Sequence, residues 1–181
     1  MCVVGLGGSG LSCIHELRDH GVRVAGVDAG SVAGAAAGRN GGFLLAGCYD
    51  FYHDAVARHG HERALAIYHA TIRQIERMAA ETPAAIRRVG SVRLATTNAE
   101  REDCDAQRDM MLADGLPVEP YWGPEGDGLL IPTDASFDPL LRARLLALHA
   151  LERGAMLYEN TRALDIAADA VLTTRGTIGC N

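Results

Sequence analysis

The chain has 181 residues, which suits one domain of roughly 150 residues, or one domain carrying an inserted lobe. A net charge of −6 argues against a nucleic-acid phosphate binder, and 48% hydrophobic residues can bury a core. All 17 basic residues are arginine, which excludes a P-loop and a pyridoxal Schiff base, because both need a lysine.

Met1–Val4 is a short apolar run stopped by glycine and is expected to be a strand. Gly10–His20 carries Leu11, Ile14 and Leu17 at helical spacing, and Gly21 suits the position just past a helix end. Val22–Val27 is a second buried strand closed by Asp28. Strand, turn, helix and strand within thirty residues open a parallel α/β unit. Ala29–Gly47 is a Gly/Ala-rich irregular stretch. The long helical region that follows has Leu65, Tyr68, Ile72, Ile75 and Ala79 on one face, a break at Gly60 and a limit at Pro83.

Val89–Thr96 is expected to be a strand, and Thr97 with Glu100 resembles a capping box for a polar helix reaching Asp114. Gly115–Gly128, rich in Pro and Gly, is expected to be a loop anchored by Tyr121 and Trp122, and Leu129–Ile131 a short strand. Asp138 and Pro139 mark the start of a helix that ends near Gly154. Ala155–Tyr158, Arg162–Ile166, Val171–Thr174 and Thr177–Cys180 are expected to be strands. No apolar run is long enough to span a membrane, and Met1 leads into no secretion signal, so the expectation is a cytoplasmic protein without a membrane span.

Chemistry concentrates at the beginning of the chain. Gly5-Leu6-Gly7-Gly8-Ser9-Gly10 is G-x-G-x-x-G between a strand and a helix. Gly5 permits the tight turn, Gly7 lets the backbone close on a pyrophosphate, and Gly10 lets helix pack on strand. The helix N-terminus offers free N–H groups and partial positive charge to phosphates. Asp28, at the end of the next strand, is placed to accept hydrogen bonds from an adenosine ribose and disfavours a 2′-phosphate by repulsion. NAD and FAD share this ADP half. Gly34–Phe43, with Arg39, Asn40 and paired glycines, is too glycine-rich for a packed helix and belongs where backbone meets ligand or turns sharply.

Other clusters read as structural. The five cysteines form no C-x-x-C, so neither a disulfide framework nor a zinc site is expected. His53, His59, His61 and His69 lack metal-ligand spacing and are expected on solvated helix faces, with no metal. Tyr49 and Tyr52 are expected to pack at a helix start, and Arg87 and Arg88 to form a surface pair.

These residues, in this order, resemble the FAD-dependent oxidoreductases of the D-amino acid oxidase type, which include glycine and sarcosine oxidases. The resemblance rests on Gly5–Gly10, Asp28, Gly38-Arg39-Asn40-Gly41-Gly42, Gly90–Ala95, Ala135–Pro139, and Gly154-Ala155 followed by Thr161-Arg162-Ala163. It implies a Rossmann-like α/β FAD-binding domain, a parallel sheet with helices, and part of an inserted antiparallel substrate lobe. The implied division is 1–82 for the first part of the FAD domain, 83–137 for the partial lobe and 138–181 for the continued FAD domain. It also implies hydride transfer from a C–N bond of an amino acid or secondary amine to flavin N5.

By the same resemblance Gly5, Leu6, Gly7, Gly8, Ser9 and Gly10 hold the pyrophosphate, and Asp28 and Ala29 the ribose. Arg39, Asn40, Gly41 and Gly42, with Gly38, meet phosphate or ring system, and the Ala163 backbone meets adenine. Gly34–Phe43 contains no histidine, so FAD is expected to be non-covalent. The family's catalytic residues are expected beyond Asn181, and the chain is expected to be an N-terminal portion, inactive alone. An NAD-dependent dehydrogenase and a non-catalytic dinucleotide-binding fragment are the alternatives.

Overall fold

The computed structural model describes residues 1–180. Its elements in chain order are β1 (Cys2–Val4), α1 (Gly8–Asp19), β2 (Ala25–Val27), a 3-10 turn over Ala36–Gly38, β3 (Phe43–Leu44), α2 (Tyr52–His59) and α3 (His61–Glu81). After a second 3-10 turn over Pro83–Ala85 come β4 (Ile86–Arg87), β5 (Ser91–Leu94), α4 (Asn98–Ala113), β6 (Glu119–Gly123), β7 (Gly126–Ile131) and β8 (Ala135–Phe137). The chain continues through α5 (Pro139–Glu152), β9 (Met156–Tyr158), β10 (Ala163–Ile166), β11 (Ala170–Thr173) and β12 (Gly176–Gly179). Two compact units result: Met1–Gly42 with the chain from Asp138 onward, and Phe43–Phe137. Residues 43–82, grouped with the first segment on sequence grounds, pack in the second unit.

In the first unit β1, β2 and β9 form a parallel sheet with β2 in the middle, Gly26 lying between Val3 and Leu157. A Cβ on Gly26 would press into Leu6, Ile14 and Leu157, so this glycine lets the apolar layer lie close on the strand. Leu11 and Ile14 of α1 and Leu146, Ala147 and Ala150 of α5 fill the same core with Val24 and Ala155. Both helices end in the Schellman arrangement. Val22 N–H reaches Leu17 O and Gly21 N–H reaches Arg18 O. Ala155 N–H reaches Ala150 O and Gly154 N–H reaches Leu151 O. Gly21 and Gly154 supply the positive φ this turn needs, +73° and +80°. Asp138 caps α5 through Leu141 N–H at 2.9 Å, ahead of Pro139. β10, β11 and β12 form a separate antiparallel sheet, bulged between Ala163 and Asp165.

In the second unit β3-β8-β4 and β5-β7-β6 are antiparallel sheets. Tyr52, Tyr68, Met111 and Leu129 join α2, α3, α4 and β7 in one core, with the two tyrosine rings edge to face at 4.9 Å. Gly60 separates α2 from α3 at φ +84°. The capping box forms: Thr97 Oγ1 accepts Glu100 N–H, and the Glu100 carboxylate accepts Thr97 N–H.

The expected loop over Gly115–Gly128 is instead mostly a hairpin. β6 and β7 pair from Glu119↔Leu130 to Gly123↔Gly126 around Pro124-Glu125. The misleading signal is Gly128, which lies in the central strand of its sheet. A Cβ there would overlap the Arg93 carbonyl, so this glycine serves close approach rather than a turn.

Candidate dinucleotide site

The loop between β1 and α1 is built by steric necessity. Gly5 adopts φ +100°, and a Cβ on Gly10 would overlap the Gly5 carbonyl oxygen, so only hydrogen at position 10 lets α1 sit on the strand end. Gly7 caps α1 without a side-chain cap, and the first intrahelical bond runs from Leu11 N–H to Gly7 O at 2.9 Å. The amides of Gly8, Ser9 and Gly10 precede that bond and stand at the positive end of the helix. Gly8 and Ser9 are exposed, and nothing lies within 4 Å of where a Gly8 Cβ would be. This is an open backbone cradle that fits a pyrophosphate.

Asp28 stands just past β2. Its Oδ2 accepts Leu6 N–H at 2.7 Å and its Oδ1 accepts Gly30 N–H at 2.8 Å. The carboxylate thereby ties the end of β2 to the glycine loop. Each oxygen keeps a lone pair for a further donor such as a ribose hydroxyl. Ala29 follows it, exposed.

The second glycine-rich segment packs beside the first. Ala33, in the left-handed region at φ +51°, donates its N–H to Leu6 O at 3.0 Å. A Cβ on Gly7 would touch Ala37 Cβ, and one on Gly38 would overlap the Ala33 carbonyl. Asn40 is a turn former: its amide donates to Ala37 O at 3.0 Å and its Oδ1 accepts Gly42 N–H at 3.0 Å, with Gly42 at φ +70°. Gly41 and Arg39 are exposed. Ala163 opens β10 opposite Thr173, on a different sheet from β2. Its strand is tied to the site through Thr161 N–H, which donates to Asp28 O at 2.7 Å.

From the sequence alone, residues 158–160 have no place at the site, and Thr161 only one beside Ala163. Asp28 N–H donates to Tyr158 O at 3.0 Å, Asn160 N–H to Gly30 O at 2.9 Å, and Val32 N–H to Glu159 Oε1 at 2.6 Å. The available signal was the acid just past β9, the same position that Asp28 takes after β2.

Of the two tyrosines expected to pack at a helix start, Tyr52 does, buried and donating to Asp114 at 2.7 Å, whereas Tyr49 is fully exposed. Burial and that carboxylate push the Tyr52 phenol above its ordinary range. His61 Nε2 meets the same carboxylate at 2.8 Å. His53 is half-buried rather than solvated, within 3.5 Å of Asp103. No group of residues able to hold a metal occurs among the described residues. Arg88 grips Glu76 through two hydrogen bonds. No described helix is long and apolar enough to cross a membrane.

Residues 1–180 match the family described as DAO, FAD dependent oxidoreductase. No curated protein matches the sequence. Among solved structures, the glycine oxidase of Bacillus cereus ATCC 14579 is 22% identical with a TM-score of 0.73, over 99% of this chain and 54% of that one. The glycine oxidase of Geobacillus kaustophilus is 25% identical with a TM-score of 0.73, over 99% and 52%. The L-amino acid deaminase of Proteus vulgaris is 19% identical with a TM-score of 0.75, over 98% and 44%. The chain thus spans about half the length of the solved structures it matches. With a parallel sheet, an open glycine cradle and an acid at the end of β2, the chain belongs to the DAO family of FAD-dependent oxidoreductases.

Proposed function

We propose that this chain is the FAD-binding portion of an oxidoreductase acting on the C–N bond of an amino acid or secondary amine. The observation that carries it is the Gly5–Gly10 cradle joined to Asp28 by the Leu6 N–H. The structures named as glycine oxidases and an L-amino acid deaminase support the substrate class.

Each residue then has a task of binding or orientation. The amides of Gly8, Ser9 and Gly10 hold the pyrophosphate, and Asp28 accepts from the ribose while fixing the glycine loop. The segment from Gly38 to Gly42 borders the cofactor, and the backbone near Ala163 meets adenine. The absence of histidine in Gly34–Phe43 fits non-covalent attachment. The cofactor belongs to the Met1–Gly42 unit with the chain from Asp138 onward, and residues 83–137 fall in a substrate lobe. When bound, FAD supplies the acceptor for a hydride leaving the amine-bearing carbon, at flavin N5.

Titrating the folded chain with FAD tests this reading. The expected result is a yellow complex with quenched flavin fluorescence and one FAD per chain. A folded chain that ignores FAD and binds NADH would favour the NAD-dependent alternative.

A further inference from the structure

The first unit holds a cavity of about 550 Å³ that Gly5–Gly10 and Asp28 do not line. Leu140, Arg144, Leu148 and Leu151 come from α5, Leu157 from β9 and Arg39 from the loop after β2. The α5 residues stand at positions i, i+4, i+8 and i+11, so they form one stripe along the helix. The stripe leaves the core along its length: Leu140 still packs against the core cluster, and the later leucines do not. Leu148 is 54% exposed and Leu151 46%, whereas Leu146 and Ala150 of the same helix are buried. α5 therefore carries a second apolar surface, and the segment 31–39 closes over it.

Neither the Arg39 nor the Arg144 guanidinium has a hydrogen bond or ion pair with any described residue. The other rim charge is Glu159, and one of its oxygens is held by Val32 N–H at 2.6 Å. Two guanidiniums against one carboxylate leave a surplus of one positive charge beside an apolar wall. The volume lies within the range of small-molecule sites, roughly 300–1,000 Å³.

We propose that this cavity binds a medium-chain carboxylate, its alkyl tail on the leucines and its head on Arg144 and Arg39. A carboxylate matches the surplus charge and accepts two parallel N–H bonds from a guanidinium. The site goes beyond the proposed FAD reading; Gly38 and Arg39 are shared with the segment that borders the cofactor in that reading, whereas Arg144 belongs to this cavity alone.

Calorimetric titration of the whole chain with decanoate, below its micellar concentration, tests the proposal. Decanol supplies the tail without charge, acetate the charge without tail, and decylammonium the opposite charge. The expected result is one decanoate per chain, with each control at least about tenfold weaker. Arg144→Gln should weaken decanoate about tenfold, the scale of one charge-assisted hydrogen bond, and leave FAD affinity unchanged. Equal binding of decylammonium, no binding of decanoate, or an indifferent Arg144→Gln variant overturns it. Stoichiometric displacement of decanoate by FAD also overturns it, because the cavity would then belong to the cofactor. If the chain binds decanoate but no FAD, the cavity stands and the FAD reading fails.

Discussion

Glu159 Oε1 accepts the backbone N–H of Val32 at 2.6 Å, across 127 positions of sequence. With Asn160 N–H on Gly30 O and Thr161 N–H on Asp28 O, it straps the end of β9 onto the loop that carries Asp28. Glu159→Ala should loosen that loop and weaken FAD binding by about fivefold, a modest effect because the hydrogen bond is exposed. Glu159→Gln keeps an acceptor oxygen and should stay near the parent value. Fluorescence titration of both variants decides; equal loss in the two would point to charge rather than to the strap.

Asp28 has two jobs, since the same carboxylate holds Leu6 N–H and faces the proposed ribose position. Asp28→Ala should weaken FAD by about 1.5–3 kcal/mol, the scale of hydrogen bonds to a charged group. An unchanged dissociation constant would reject the ribose role.

Gly10→Ala should be destabilising on steric grounds alone. The added methyl overlaps the Gly5 carbonyl, a backbone atom that cannot swing aside. Overpacking of this kind costs about 1–3 kcal/mol, and thermal unfolding should show a lower midpoint even without cofactor. Gly8→Ala, where nothing lies within 4 Å, should unfold like the parent.

Asp134 and Asp114 should respond to pH with opposite sign. Asp134 is buried, accepting Ala46 N–H at 2.8 Å and the Ser91 hydroxyl at 2.6 Å. Burial raises its carboxyl above the ordinary 3.8, against the pull of those two donors. Its contribution is therefore fully present below 3.8 and lost as pH rises through the elevated folded value. Hydrogen bonds from Tyr52 and His61 hold Asp114 below 3.8, so its contribution is present above 3.8 and lost as pH falls through the depressed value. Asp134→Asn, which can still accept from Ala46 and donate to Ser91, should flatten the first dependence in urea unfolding across pH. Asp134→Ala orphans both donors and should cost about 1–3 kcal/mol at any pH.

Tyr52→Phe removes the phenol that reaches Asp114 from a fully buried ring. The expected loss is about 1.5–3 kcal/mol, read from the unfolding midpoint. His61 remains on the carboxylate in this variant, and a double-mutant cycle of Tyr52→Phe with His61→Ala separates the two partners.

Local rules written into the sequence carried much of this protein. G-x-G-x-x-G, Gly21, Gly60, the Thr97–Glu100 box and Asp138-Pro139 each act through backbone geometry within a few residues, so their effect was legible before any packing was known. Tertiary structure decided what depends on distant neighbours. Gly128 reads as a loop residue until β5 lies against it, and only packing divides the leucines of α5 between buried and exposed positions. The Glu159 strap was hidden for the same reason: a hydrogen bond between chain segments 127 residues apart leaves no periodicity, only the two ends that folding brings together.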